Sequence, residues 1–465
     1  MNSARIFIVS AACVAGIGLL AQNPAPQTPP PTPQQLEGPV PQQQNDISLE
    51  IKGEIGAPLH YAVPDFRAMT PDPETAAAAK TIAEVLWADL AYEREFDLIP
   101  RDTYRTIPQP QSPNDVPFDR WRELGADGVV IGTVQRTGNT FHVEMRLYDV
   151  KNRTVALGKA YDNVTLRNPR AGAHAISDDI HESQRQLRGV ARTKLTFVSD
   201  RQNERLGGTV EKRDSKEVYV TDYDGANQQR VTTNGRLNIS PNWSPDGRSI
   251  IYSSYMKIVP QILVSNIYQG TMDILSNDKS QGLLPAFSPD GTRVVFMSDR
   301  DGQMEIYLMN RDGSGVRRLT NHLADDGSPT WSPTGTQIAF TSNRSGRPQI
   351  WVMDTDGLNV RRITFSDSWA DRATWSPAPY NEIAYAGQSG PGFDIKIYDV
   401  ATGQTRVVTD GSGSNESPAF SPNGRHIAFT STRQGKAQIY TMARDGKQLT
   451  RITNSGANTF PNWSR

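Results

Sequence analysis

From about residue 194 onward, short apolar runs with period-two alternation return at a fixed interval. An aromatic residue followed by serine marks each return: Trp243, Phe287, Trp331, Trp375, Phe420 and Trp463, spaced 44, 44, 44, 45 and 43 residues apart. A second phase runs through Thr232, Ser276, Thr320, Thr364, Thr409 and Thr453. Two independent markers at one period give six copies. Within a copy, SPTWS (328–332), QIAFTSNR (337–344), QIWVMDTDG (349–357) and VRRIT (360–364) read as four successive strands. Ser-Pro-Asp-Gly (244–247, 288–291) supplies the turn between the first and second strands, because Pro fixes φ and Asp-Gly accepts turn geometry. Asp224-Gly225, Asp312-Gly313 and Asp356-Gly357 join the third strand to the fourth. A period of 40 to 50 residues with several short strands in each copy is the mark of propeller blades. The aromatic markers are expected to fill the space between neighbouring blades.

The two ends of the array complement each other. The chain stops at FPNWSR (460–465), a first strand with nothing after it, whereas residues 194–232 carry second, third and fourth strands without a first. Together they make one blade, so the C-terminal strand should close the ring and remove its open edges. The prediction for 190–465 is therefore an all-β six-bladed propeller closed by the C-terminal strand.

Upstream the periodicity changes. Residues 57–66 (APLHYAVPDF) read as a buried strand, and 72–94 as an Ala-rich helix with Ile82, Val85, Leu86 and Leu90 on one face. FDLIP (96–100) reads as a short strand and FDRWRELG (118–125) as a short helix stopped by Gly125. Three strands follow, with turns at Gly138-Asn139 and Lys151-Asn152, and then a polar-faced helix ending at Gly189. This is an α/β N-terminal domain over 46–189. Before it, residues 22–45 form a Pro/Gln-rich linker whose composition cannot build a core. Residues 1–21 combine Arg5 with the apolar run Ile6–Ala21 and read as a secretory signal peptide, too short for a span of about 20 residues.

Composition narrows the chemistry. The 49 basic and 50 acidic residues nearly cancel, so no electrostatic footprint for nucleic acid exists. The one cysteine, Cys13, lies inside the signal segment, and the exported chain has neither disulfides nor thiol catalysis to draw on. HESQR (181–185) starts like the zinc motif H-E-x-x-H but ends on Arg185. His60, His142, His174 and His181 have no ligand rhythm and read as surface or packing residues. The Asp-rich turns 221–225 and 354–357 lack the remaining ligands of a calcium loop and read as hairpins. No cofactor or metal is called for.

The residues then point to a family. WADL (87–90), LGADGVVIGTV (124–134) and VTDYDGANQQ (220–229), followed by PNWSPDG (241–247), PAFSPDG (285–291), PTWSPTG (329–335) and PAFSPNG (418–424), resemble TolB, the soluble periplasmic component of the Tol–Pal envelope system of Gram-negative bacteria. The resemblance covers about residues 47–465. It implies a monomeric binding protein in the periplasm whose propeller mouth docks the peptidoglycan-associated lipoprotein Pal and whose mature N-terminus engages inner-membrane TolA, in support of outer-membrane integrity and cell division. The family's short TolA segment is not recognisable, and the Pro/Gln tract stands in that region. By resemblance, the Pal-facing surface lies in the loops entering each first strand, which hold Asn238, Gln281, Leu284, His322, Asp325, Asp326, Trp369, Asp371, Arg372, Asn415, Glu416 and Asn458. Those loops also vary between copies while the Pro-x-Trp/Phe-Ser frame repeats. Two other classes fit a propeller. One is an enzyme, either a peptidase related to prolyl oligopeptidase or a lyase or glycosidase with acids such as Asp325, Asp326, Asp371 and Glu416. The other is a cargo-binding propeller. A peptidase needs a G-x-S-x-G elbow, which the chain lacks, and no base partner for the acids is evident.

Overall fold

In the computed structural model, residues 59–111, 115–202, 215–276 and 279–465 are described. The signal segment and the Pro/Gln linker lie outside them. The N-terminal α/β domain is built on a mixed sheet. Strand β1 (Leu59–Ala62) is shorter than the pattern of 57–66 suggests: Pro64 cannot donate to a ladder, and the chain resumes as β2 (Arg67–Ala68) after it. Helix α1 (Pro73–Glu93) starts where Asp72 accepts the Thr75 N–H at 2.8 Å, with proline in the first turn, and ends on Arg94 in the left-handed region. Strand β3 (Phe96–Leu98), helix α2 (Phe118–Glu123), the long strands β4 (Gly128–Thr137), β5 (Thr140–Asp149) and β6 (Thr154–Thr165), and helix α3 (Arg170–Arg185) complete it. The sheet order is β3-β1-β4-β5-β6, parallel on the first two pairings and antiparallel on the last two. Helices α1 and α3 bury Ile82, Leu86, Leu90, Ile176 and Ile180 against Val130, Val134 and Met145 of the sheet.

The remaining described residues form six sheets of four antiparallel strands. Blades 1 to 5 start on the first strands Asn238–Trp243, Leu283–Phe287, Asp326–Trp331, Ala370–Trp375 and Asn415–Phe420. In blade 6 the C-terminal strand Asn458–Trp463 pairs with Lys194–Ser199, which pairs in turn with Glu217–Asp222. Ring closure by the chain's last strand is thus observed. The aromatic markers sit between blades as expected: Trp331 of blade 3 packs on Val295, Ile306 and Leu308 of blade 2, and its indole N–H donates to the Ala286 carbonyl at 3.2 Å. The second marker has an equally definite job. The hydroxyl of each residue in that phase accepts the N–H of a third-strand residue fourteen positions earlier, at 2.8–3.0 Å in all six blades. In five blades it also donates to the side chain just before that residue: Glu217, Glu305, Gln349, Asp394 and Gln438. A fourth strand only two to four residues long is thereby locked to the third where ladder bonds are few.

Candidate functional site

In such a meander, the loops entering first strands and the loops from second to third strands share one face of the ring. The Ser-Pro-Asp-Gly turns and the third-to-fourth turns share the other. The N-terminal domain covers part of the turn face. Asn423 and Arg425 of the blade 5 turn meet Glu93 and Glu95 at the end of α1, Tyr92 stacks on His426 with ring centroids 4.3 Å apart, and Asp224 pairs with Arg170. At the centre of this junction Asp89 of α1 receives the Tyr223 hydroxyl at 2.7 Å and lies 2.8 Å from His174 Nδ1 of α3. Burial opposes charge on His174, but the hydrogen bond and charge of Asp89, with Asp224 and Asp222 behind it, hold its pKa above the usual histidine value. The face left open is the loop face.

At the axis the six first strands make a ring. Each carries a β-bulge, and the bulged residue stands in the left-handed region: Ser240, Leu284, Ser328, Arg372, Ser417 and Phe460, with φ between 50° and 56°. Non-glycine residues adopt this conformation at a cost. Here the flanking ladder pairs impose it six times over, which turns these side chains toward a narrow axial cavity of about 120 Å³. Arg372 is its charged member. Its guanidinium lies 4.4 Å over the Phe460 ring and 4.0 Å from Asp371. Burial lowers the Arg372 pKa, against the charges of Asp371 and Glu416. Burial also raises Glu416, whose carboxylate accepts the Ser414 hydroxyl at 2.7 Å.

The twelve residues assigned from the sequence fall into two groups. Asn238, Asp326, Asn415 and Asn458 open their first strands fully buried and bond to other blade elements. Asn458 donates to Gln438 at 2.8 Å, Asn238 to the Lys216 carbonyl at 2.8 Å, and Asp326 is ion-paired with Arg344. Three of the four belong to a recurrent clip, Ser-x-Arg at 199–201, 342–344 and 431–433. There the arginine Nε donates to the serine hydroxyl, its plane covers two aromatic rings, and its far nitrogen reaches Asn458, Asp326 or Asn415. Their sequence variation therefore belongs to the scaffold. Leu284 is buried in the axial ring, and Gln281 is tied to Asp299 by two 2.8 Å bonds. Asp371 accepts the Thr341 hydroxyl at 2.7 Å beside Arg372, and Trp369 meets Phe393 edge-on. Asp325 accepts a hydrogen bond from Gln303, while His322 is exposed on the same loop.

What the sequence reading missed on this face is apolar. Leu323 is 95% exposed, Ile258 83% and Phe365 73%, each in a loop of the open face near the predicted residues. The signal was present as a lone Leu, Ile or Phe inside otherwise polar loops, but loop polarity drew attention to the charged neighbours instead. Among the described residues no three His, Cys, Asp or Glu side chains are grouped to hold a metal, and no helix is long and apolar enough to cross a membrane.

A closed six-bladed propeller with an α/β domain on its turn face, and an open loop face around a ring of bulged residues, defines a two-domain propeller architecture. Residues 182–465 match the family described as the TolB beta propeller domain, and residues 47–155 match the TolB amino-terminal domain. The chain belongs to the TolB family. It is 45% identical over 419 residues to the Tol-Pal system protein TolB of Methylobacillus flagellatus, covering 90% of this chain and 92% of that one. It is 33% identical over 222 residues to the Tol-Pal system protein TolB of Desulfosudis oleivorans; that match covers 47% of this chain and spans about half of the relative, 48% of its length. The crystal structure of TolB from Acinetobacter baumannii superposes with a TM-score of 0.73 at 25% identity, covering 88% of this chain and 96% of that one.

Proposed function

We propose that this protein is a periplasmic docking component of the Tol–Pal system. Its loop face receives the Pal lipoprotein, and its N-terminal side connects to inner-membrane components such as TolA. The observation that carries the reading is the set of large apolar side chains held out on the face opposite the N-terminal domain, where Leu323 and Phe365 stand on loops entering first strands and Ile258 on a loop from a second to a third strand. Isolated exposed apolar residues are ordinary, but a group of them on irregular loops of a rigid ring has the character of a protein-binding surface. Of the predicted residues, Gln281, His322, Asp325, Trp369, Asp371, Arg372 and Glu416 are the accessible ones on that face. A binding role also suits the acids better than catalysis does: Asp326 is ion-paired with Arg344, and Asp371 and Glu416 accept hydroxyls beside Arg372.

Calorimetric titration of the mature chain with purified Pal tests the proposal. Replacing Leu323 and Phe365 with Ser should weaken binding at least tenfold with the circular dichroism spectrum and melting temperature preserved, and Asp371→Ala with Arg372→Ala should weaken it further with the circular dichroism spectrum preserved. Unchanged affinity in all four substitutions would move the site off this face.

A further inference from the structure

A lateral groove of about 730 Å³ lies on the outside of the ring, between blade 6 and blade 1. One wall is the fourth-strand segment of blade 6, Gln229 to Asn234. The other is the outer hairpin of blade 1, where third strand Gln261–Asn266 turns into fourth strand Thr271–Ile274. Arg167 and Asn168 of the N-terminal domain close one end.

Blade 1 departs here from the rest of the array. The fourth strands of blades 2 to 6 carry arginine (Arg317-Arg318, Arg361-Arg362, Arg406, Arg451 and Arg230), which guards an outer edge against pairing. Blade 1 writes Thr-Met-Asp-Ile, one of the longer fourth strands, and all four residues are exposed. Beside it Tyr268 is 71% exposed at the lip of the groove and Met272 45%. Tyr268 is held there by its own turn: the Asn266 carboxamide oxygen accepts the N–H groups of Tyr268 and Gln269 at 3.0 and 2.9 Å, which leaves the Asn266 amide N–H₂ directed away from that turn. The lining carries amides and hydroxyls: Asn227 donates to Asn168 and Asp222, Asn234 to Asn238 and Ser254, and Ser265 bonds Tyr252, while Gln229, Thr233 and Asn266 complete the set. Of its ionic groups, Lys194 and Asp222 pair at 2.6 Å across the floor, and Arg167 and Arg230 leave the lining with a net positive charge. Arg167 remains exposed at the end.

We infer that this groove is a binding site for a short oligosaccharide. The Gln229 amide and the Asn266 amide N–H₂ offer hydrogen bonds to sugar hydroxyls, an exposed tyrosine ring offers a flat apolar face for the C–H side of a sugar ring, and the net positive charge of the lining favours an acidic sugar. The volume lies within the range of sites that enclose small ligands. Arg167 sits where an acidic substituent on the sugar would be received. The site is separate from the loop face and does not depend on what docks there.

The test uses the full mature chain and two probes, chitotetraose as a neutral oligosaccharide and a hyaluronan tetrasaccharide as an acidic one, titrated by NMR and calorimetry. The expected result is chemical-shift change confined to residues 167–168, 227–234 and 264–272, with at least one probe bound at millimolar or tighter affinity. Tyr268→Ala, a substitution at an exposed turn position, should weaken binding at least fivefold without changing the melting temperature. Arg167→Gln should weaken the acidic probe alone, and equal loss for both probes would overturn the role given to Arg167. No shift change with either probe at ten millimolar, or full binding by Tyr268→Ala, would overturn the site.

Discussion

At the residue scale, the blade 5 turn shows how one atom distinguishes copies of a repeat. In blades 1 and 2 the turn residue is Asp246 or Asp290, whose carboxylate takes the serine hydroxyl two residues back and the N–H two residues on. Asn423 makes the same two bonds with its carboxamide oxygen. Its amide nitrogen then does what an aspartate cannot, donating to the Glu93 carboxylate at 3.2 and 3.3 Å and to the Arg188 carbonyl at 3.1 Å. Asn423→Asp keeps the turn chemistry but sets a carboxylate against a buried one. We expect a loss of about 1–3 kcal/mol in urea unfolding, with faster amide exchange at Val190, whose N–H also bonds Glu93 at 2.9 Å. The same substitution mimics blades 1 and 2, so unaltered stability would show that the junction does not depend on this turn.

At the scale of elements, the last strand carries the most consequence. Asn458–Trp463 pairs with Lys194–Ser199, and the Trp463 indole N–H donates to the Thr193 hydroxyl at 2.7 Å. Asn458 and Arg201 also join blades 5 and 6 through Gln438. Deleting residues 458–465 exposes both the edge of Lys194–Ser199 and the apolar side chains of Phe197 and Ile439, which cluster with Trp463. The expected outcome is a broad, non-cooperative calorimetric transition and aggregation on concentration. A truncated chain that melts cooperatively within about 2 °C of the full protein would show that closure rests elsewhere.

For the whole molecule, the junction between the two domains couples stability to pH through groups that pull in opposite directions. Burial raises the Glu93 carboxyl to about 7, against the charge of Arg425 and the Val190 N–H, with Asp178 adding to the rise. Burial depresses His426 to about 3, helped by the Arg425 charge and opposed by its contact with the Tyr92 carbonyl. Between pH 4.5 and 7 the folded protein holds a proton on Glu93 that the unfolded chain has released, so this group's contribution falls as pH rises. Between pH 3 and 6.5 the unfolded chain holds a proton on His426 that the folded protein excludes, so that contribution falls as pH drops. The two offset each other where the windows overlap. Glu93→Gln removes only the first. Relative to the parent protein it should gain about 1–3 kcal/mol on going from pH 4.5 to pH 7.5, read from urea denaturation at both values. A difference independent of pH would show that Glu93 is ionised throughout in the folded state.

The sequence by itself determined the ring. Two markers repeated at one period specify the blade count, the turn chemistry of Ser-Pro-Asp-Gly and Asp-Gly places the strands, and an unmatched strand at each end requires closure. These are local rules, or rules of counting, and they need no knowledge of what each side chain touches. Tertiary structure decided the rest. Asn238, Asp326, Asn415 and Asn458 look like variable rim residues in the sequence, yet they are buried between strands by the arginine clip and neighbouring turns, and only the packed ring shows it. His174 has no motif around it, because its partners Asp89 and Tyr223 come from 85 residues before it and from the propeller after it. Which turn meets the N-terminal domain, which face stays open, and which apolar loop residues remain in water all depend on how two independently patterned domains dock, and burial there is set by contacts that no single stretch of chain contains.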